Sequence, residues 1–135
     1  MADVRDIQSG THYQVGETGS LEEWNGKLFI GKALGFTGME VSLNRVPSGG
    51  GAPFLHAHRE HEELYLFVSG TGQFQVDGHV FPVKAGTAVR VEPEGKRAWR
   101  NTGSDDLVVV VVQANRGTLT GQDGIRLEGA IPWND

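Results

Sequence analysis

No cysteine occurs in the chain. That excludes disulfides and every thiolate-held metal or redox centre. Long apolar runs are missing too. The longest, Leu107–Val112, is strand-sized, far short of the ~20 residues that cross a bilayer as a helix. The opening residues, MADVRDIQSG, are polar and charged, so no secretory signal is read there and a cytoplasmic protein is expected. Basic residues are sparse: the closest grouping is Lys96, Arg97 and Arg100, in a chain of net charge -5. Without a basic face to neutralise phosphates, neither nucleic acid nor membrane is an expected partner.

Glycine, by contrast, is abundant, with 20 of 135 residues, and helix-period patterns are scarce. Short strands joined by glycine turns predict an all-β sandwich or barrel. The length fits one domain. Residues 1–20 read as an irregular, loosely attached arm, and residues 21–135 as the single β domain.

Met39–Val46 alternates. Met39, Val41 and Leu43 are expected on the buried face, with Glu40, Ser42 and Asn44 on the other. Asp77-Gly78 between Gln73–Val76 and His79–Val83 predicts a two-residue hairpin. Leu107–Gln113, LVVVVVQ, is apolar on both faces, so it reads as a central strand covered on both sides, its β-branching arguing against a helix. Ile125–Leu127 reads as a weak strand. Trp133 is expected on the domain surface or in a subunit contact.

The chemistry concentrates in Gly50–Gly70, GGAPFLHAHREHEELYLFVSG. Side chains two apart on an extended segment share a face, so His56 and His58 project together. A short polar turn then leads to Glu63 at the head of the run Leu64–Val68. Two imidazoles and one carboxylate make a facial set for a divalent transition metal with open positions. The plainer alternative is a pair of surface histidines in a charged turn.

The spacing Gly50, His56, His58, Glu63, Gly70 resembles the first signature of the cupin superfamily. The second signature is met at its ends, Gly86 and Asn101, and departs between them. Glu92 stands at its proline position and Glu94 at its glycine position, while Arg97 stands where the third metal histidine would be. The resemblance implies a small double-stranded β-helix, or jelly-roll barrel, usually dimeric, with the site inside its mouth. It also implies one divalent metal (iron, manganese, nickel or zinc) on His56, His58 and Glu63, and a small-molecule substrate. Cupins span oxygenases, decarboxylases, isomerases and binding proteins, so the fold alone leaves the activity open.

Arg97 stays protonated and is no ordinary ligand. Three arrangements are open. The metal keeps three protein ligands and Arg97 grips a carboxylate or phosphate of the substrate. Or no metal binds, Arg97 pairs with Glu63 and the histidines bind or relay protons; a metal-free barrel is then either a non-catalytic binder in which Arg97 holds an anionic group or an isomerase with a histidine as base. Or Arg97 faces solvent and His61 or another residue completes the metal set. Tyr65 and Phe67 share the parity of Glu63, and Tyr65 is the candidate catalytic partner of Arg97. Gln113 either points into the barrel or, more plainly, is a strand-end polar residue; Glu62 reads as a surface ion pair; Arg45, Arg90 and Arg100 either line an anionic pocket or, more plainly, decorate the surface.

Overall fold

The computed structural model describes residues 3–133. The outermost ends of the expected arm and domain, residues 1, 2, 134 and 135, lie outside the described residues. The chain is mostly β-strand, as its glycine turns and alternating runs dictate.

The stretch expected to be irregular is a hairpin. Strands β1 (Arg5–Gly10) and β2 (Tyr13–Glu17) pair antiparallel with a register shift between Arg5 and Gln8. Almost every residue in it is exposed, so no buried apolar alternation announced it. A 3-10 turn at Leu21–Glu23 and strand β3 (Gly26–Phe29) follow. Helix α1 (Ile30–Leu34) is the second departure from expectation. Its signal was Gly35, which caps it at φ 73°, a conformation that glycine adopts without strain.

Two sheets enclose the interior. The larger has five strands in the order β3, β4 (Met39–Val46), β10 (Leu107–Asn115), β5 (His61–Ser69), β8 (Ala88–Val91). The valine-rich β10 lies between β4 and β5, its expected place. The smaller has the order β7 (His79–Lys84), β6 (Thr71–Val76), β9 (Arg97–Asn101). Asp77 and Gly78, at φ 50° and 85°, make the two-residue turn between β6 and β7. Pro82 is tolerated because β7 is an edge strand.

Cross-strand partners share a face, and the registers therefore settle what points inward. Glu63, Tyr65 and Phe67 of β5 oppose Gln113, Val111 and Val109 of β10. Val111 and Val109 in turn oppose Ser42 and Asn44 of β4. Ser42 and Asn44 are therefore inward and buried, against expectation, while on the opposite face Leu43 is buried as expected and Met39 is exposed. Their polarity is absorbed locally: the Asn44 amide donates to Ser42 Oγ at 3.0 Å. The core proper is Tyr65, Phe67, Phe74, Val83, Leu107 and Val109, with Val89 and Val91 beside them. At about 25 cal/mol per Å² of apolar surface, such side chains supply most of the drive to fold. Beyond β10 the chain runs out as an extended tail. Ile125–Leu127 finds no strand partner, and Trp133 is exposed.

Candidate metal centre

The segment carrying the histidines lies antiparallel along β9. The Ala52 amide donates to the Trp99 carbonyl at 2.8 Å, and His56 and Arg97 exchange backbone bonds at 3.2 and 2.9 Å. The His58 amide donates to the Pro93 carbonyl at 2.9 Å. Gly51 is required for this approach: a Cβ there would lie 2.5 Å from the Trp99 carbonyl oxygen. Strapped down in this way, the segment turns both imidazoles to the same side, with ring centres 5.3 Å apart.

They meet Glu63, which β5 carries in from the opposite sheet. The ligand atoms of His56, His58 and Glu63 lie within 4.8 Å of one another. Glu63 is 4% exposed and Arg97 0%. One carboxylate oxygen, Glu63 Oε1, is the hub. His58 Nε2 lies 3.3 Å from it, His56 Nε2 3.5 Å and Arg97 Nη1 3.3 Å. The Tyr65 hydroxyl donates to it at 2.6 Å.

Burial lowers the pKa of His56; Arg97 and His58 push the same way, against the pull of Glu63. Its imidazole is thus neutral at pH 7, with a lone pair to give. Burial, reinforced by the bond to Glu63, drives the Tyr65 hydroxyl well above its ordinary range. Tyr65 therefore acts as a fixed hydrogen-bond donor that orients Glu63.

Arg97 is central, yet closed off. Its Nη2 donates to the Glu92 carbonyl at 2.6 Å, and its side chain exposes no surface. The solvent-facing arrangement, with His61 completing the metal set, is overturned. His61 Nδ1 is instead bonded to Gln113 Oε1 at 2.8 Å. The expected grip of Arg97 on a substrate anion does not fit an enclosed guanidinium either: no face is left for a ligand to reach. The arrangement that the geometry does contain is the Arg97–Glu63 pair.

The donor set fits a divalent ion. Two neutral-capable imidazole nitrogens and a carboxylate suit borderline transition metals. Moreover His58 Nε2 is buried without a hydrogen-bond partner among the described residues, which is costly unless something else satisfies it.

A cavity of about 470 Å³ opens beside the triad, with His56, Glu63 and Tyr65 on its wall together with Lys27, Asn44 and Trp99. The last three were missed from sequence. Period-2 parity from Arg97 would have found Trp99. Asn44 was legible as a polar residue on an alternating strand but was assigned to the wrong face. Glu62, Arg90 and Arg100 make side-chain pairs at the surface, whereas Arg45, expected there, is partly buried on the cavity wall. Glu62 accepts from Arg90 Nε at 3.0 Å, Arg45 Nη1 donates to Asp106 at 3.0 Å, and Arg100 Nε donates to Gln73 at 2.9 Å.

The family model described as "Cupin domain" matches residues 42–113. A cupin protein of Bacteroides fragilis is similar in structure, with a TM-score of 0.79 and 31% identity over 87% of this chain and 98% of its own. A Thermotoga maritima protein described as a predicted oxalate decarboxylase has a TM-score of 0.58 and 26% identity over 64% of this chain and 74% of its own. The cupin domain of Schizosaccharomyces pombe Cnp3, at 15% identity and a TM-score of 0.62 over 76% of each chain, shares the fold. A search of curated protein sequences gave no match. The matched span runs from within β4 into β10 and takes in every residue of the triad: this chain belongs to the cupin family.

Proposed function

We propose that the protein is a cytoplasmic, homodimeric cupin that holds one divalent transition metal on His56, His58 and Glu63 and acts on a small anionic molecule, in the manner of an oxygenase or isomerase. The observation that carries this reading is the convergence of three ligand atoms within 4.8 Å around a buried, unpartnered His58 Nε2. When bound, such an ion supplies Lewis acidity at an open coordination position.

The chain's own groups then divide the work. His56 and His58 are presented by a segment tied to β9, so their rings are preset. Tyr65 holds Glu63 by its hydroxyl and keeps that carboxylate facing the histidines. Arg97 balances the carboxylate charge through Nη1, 3.3 Å from the same oxygen, and its Nη2 is held by the Glu92 carbonyl. The Thermotoga relative, described as a predicted oxalate decarboxylase, supports an acidic small molecule as substrate. Support for a homodimer comes from exposed apolar surface on β5 and along the tail, at Leu64, Leu119, Ile125, Leu127, Ile131 and Trp133. Surface of that kind marks interaction sites.

The Arg97–Glu63 contact favours a second reading, a metal-free binding barrel in which the guanidinium alone neutralises Glu63. Thermal melts with manganese, iron, nickel or zinc separate the two. An ion that binds the native state adds about 2.7 kcal/mol at a hundredfold excess over Kd, and His58→Ala removes that gain. Equal melting with and without each ion supports the binding barrel.

A further inference from the structure

The cavity wall carries a cation that the sequence reading passed over. Two arginines stand near it and both are engaged. Arg97 is enclosed against Glu63 and the Glu92 carbonyl. Arg45 is tied to Asp106 and to the Leu21 carbonyl. Lys27 differs. It sits on β3 opposite Asn44, an inward residue of β4, so the two share the cavity face, and both line the cavity. Its Nζ lies 5.1 Å from the centre of the Phe29 ring, an attraction that steadies the ammonium. Among the described residues no acidic side chain pairs with it.

Away from the His56, Glu63 and Tyr65 end, and apart from Asn44 and the paired Arg45, the wall is apolar: Ala52, Pro53, Phe54, Trp99 and Val111. A charge facing low-dielectric walls focuses its field and attracts an opposite charge more strongly than one on open surface. One flexible ammonium answers one carboxylate. A phosphate dianion would leave a second negative charge unmatched in a cavity whose wall already carries the Glu63 carboxylate, which is costly.

We propose that Lys27 selects the charge of the ligand, and that the cavity takes a small monocarboxylate with an apolar body. The carboxylate meets the Lys27 ammonium, and the body lies against Trp99, Pro53, Phe54 and Val111. This rests on reading the cavity as the substrate site of the metal centre. It moves anion recognition from Arg97, which is enclosed beside Glu63, to a side chain that can follow its ligand as a point charge.

Phenylacetate and phenylacetamide, alike in shape and different in charge, test this by protein-observed NMR titration. The wild type is expected to bind phenylacetate about tenfold tighter than the amide. Lys27→Met should erase that preference and Lys27→Arg keep it. Arg100→Met, on the outward face of β9, should leave it unchanged. His58→Ala, with its metal set broken, should still prefer phenylacetate. Failure of phenylacetate to bind at millimolar concentration overturns the proposal, as does a preference that survives Lys27→Met. A preference lost in His58→Ala and kept in Lys27→Met puts the carboxylate on the metal: the metal reading then stands and the Lys27 proposal falls. Metal binding absent throughout, with the Lys27-dependent preference intact, overturns the metal reading and leaves Lys27 in place.

Discussion

Along β5 the inward residues are Glu63, Tyr65 and Phe67, and over that distance the interior changes from polar to apolar. β9 makes a similar crossing, from Arg97 to Trp99. At the apolar end, Phe67, Leu107 and Val109 expose nothing, and Phe67 packs edge-on against Phe74 and Trp99. Nothing there needs a partner outside the chain. At the polar end, four groups crowd one carboxylate oxygen, while His58 Nε2, Arg97 Nε and Arg97 Nη1 lack hydrogen-bond partners among the described residues. The same strands thus build a self-sufficient floor and an incomplete ceiling. Buried charge of this kind is a weak source of stability, so its retention points to ligand chemistry.

The comparison breaks most sharply if the floor is removed. Phe67→Ala should cost about 3–5 kcal/mol, read by urea unfolding, with the metal bound per folded chain unchanged. A loss of metal in that variant would mean that the two ends are not separable. At the polar end, Arg97→His should raise metal affinity about tenfold or more, since it removes a cation and adds a fourth ligand at the position the family motif gives to histidine. Competition with a chelator measures it; no gain would show that position 97 does not reach the ion.

Smaller effects sharpen the boundary. Tyr65→Phe keeps the ring in the apolar floor and removes only the bond to Glu63, a charge-assisted contact worth about 1.5–3 kcal/mol. It should unfold slightly earlier and bind metal more weakly. Unchanged metal affinity would reduce Tyr65 to packing. The smallest change is one residue from the hub. Glu62→Gln breaks a solvent-screened contact with Arg90, and neither the urea midpoint nor metal content should move.

Much of this was legible because two signals do not depend on neighbours. β10 declared itself by β-branched residues on both faces, and the His56, His58, Glu63 set by spacing on an extended segment. Parity was harder. Alternation on β4 showed two faces but not which was inward, since a polar pocket rewards Ser42 and Asn44 inside, where hydrophobicity predicts Met39 and Val41. The β1–β2 hairpin buries almost nothing and so left no pattern. The enclosure of Arg97 depends on the Glu92 carbonyl and on Glu63 arriving from the other sheet, contacts between segments far apart or bent by Pro93-Glu94-Gly95. Lys27 was a lysine on a short edge strand until the β3–β4 register placed it opposite Asn44.

The central claim is that His56, His58 and Glu63 form a working metal set beside a buried arginine. Elemental analysis of protein purified without a metal-affinity tag, with His58→Ala in parallel, tests it most directly. The account predicts near-stoichiometric divalent metal in the wild type and its loss in His58→Ala. Metal-free wild-type protein, even after incubation with iron, manganese, nickel and zinc, would contradict it and leave the Arg97–Glu63 pair as the complete state of the site.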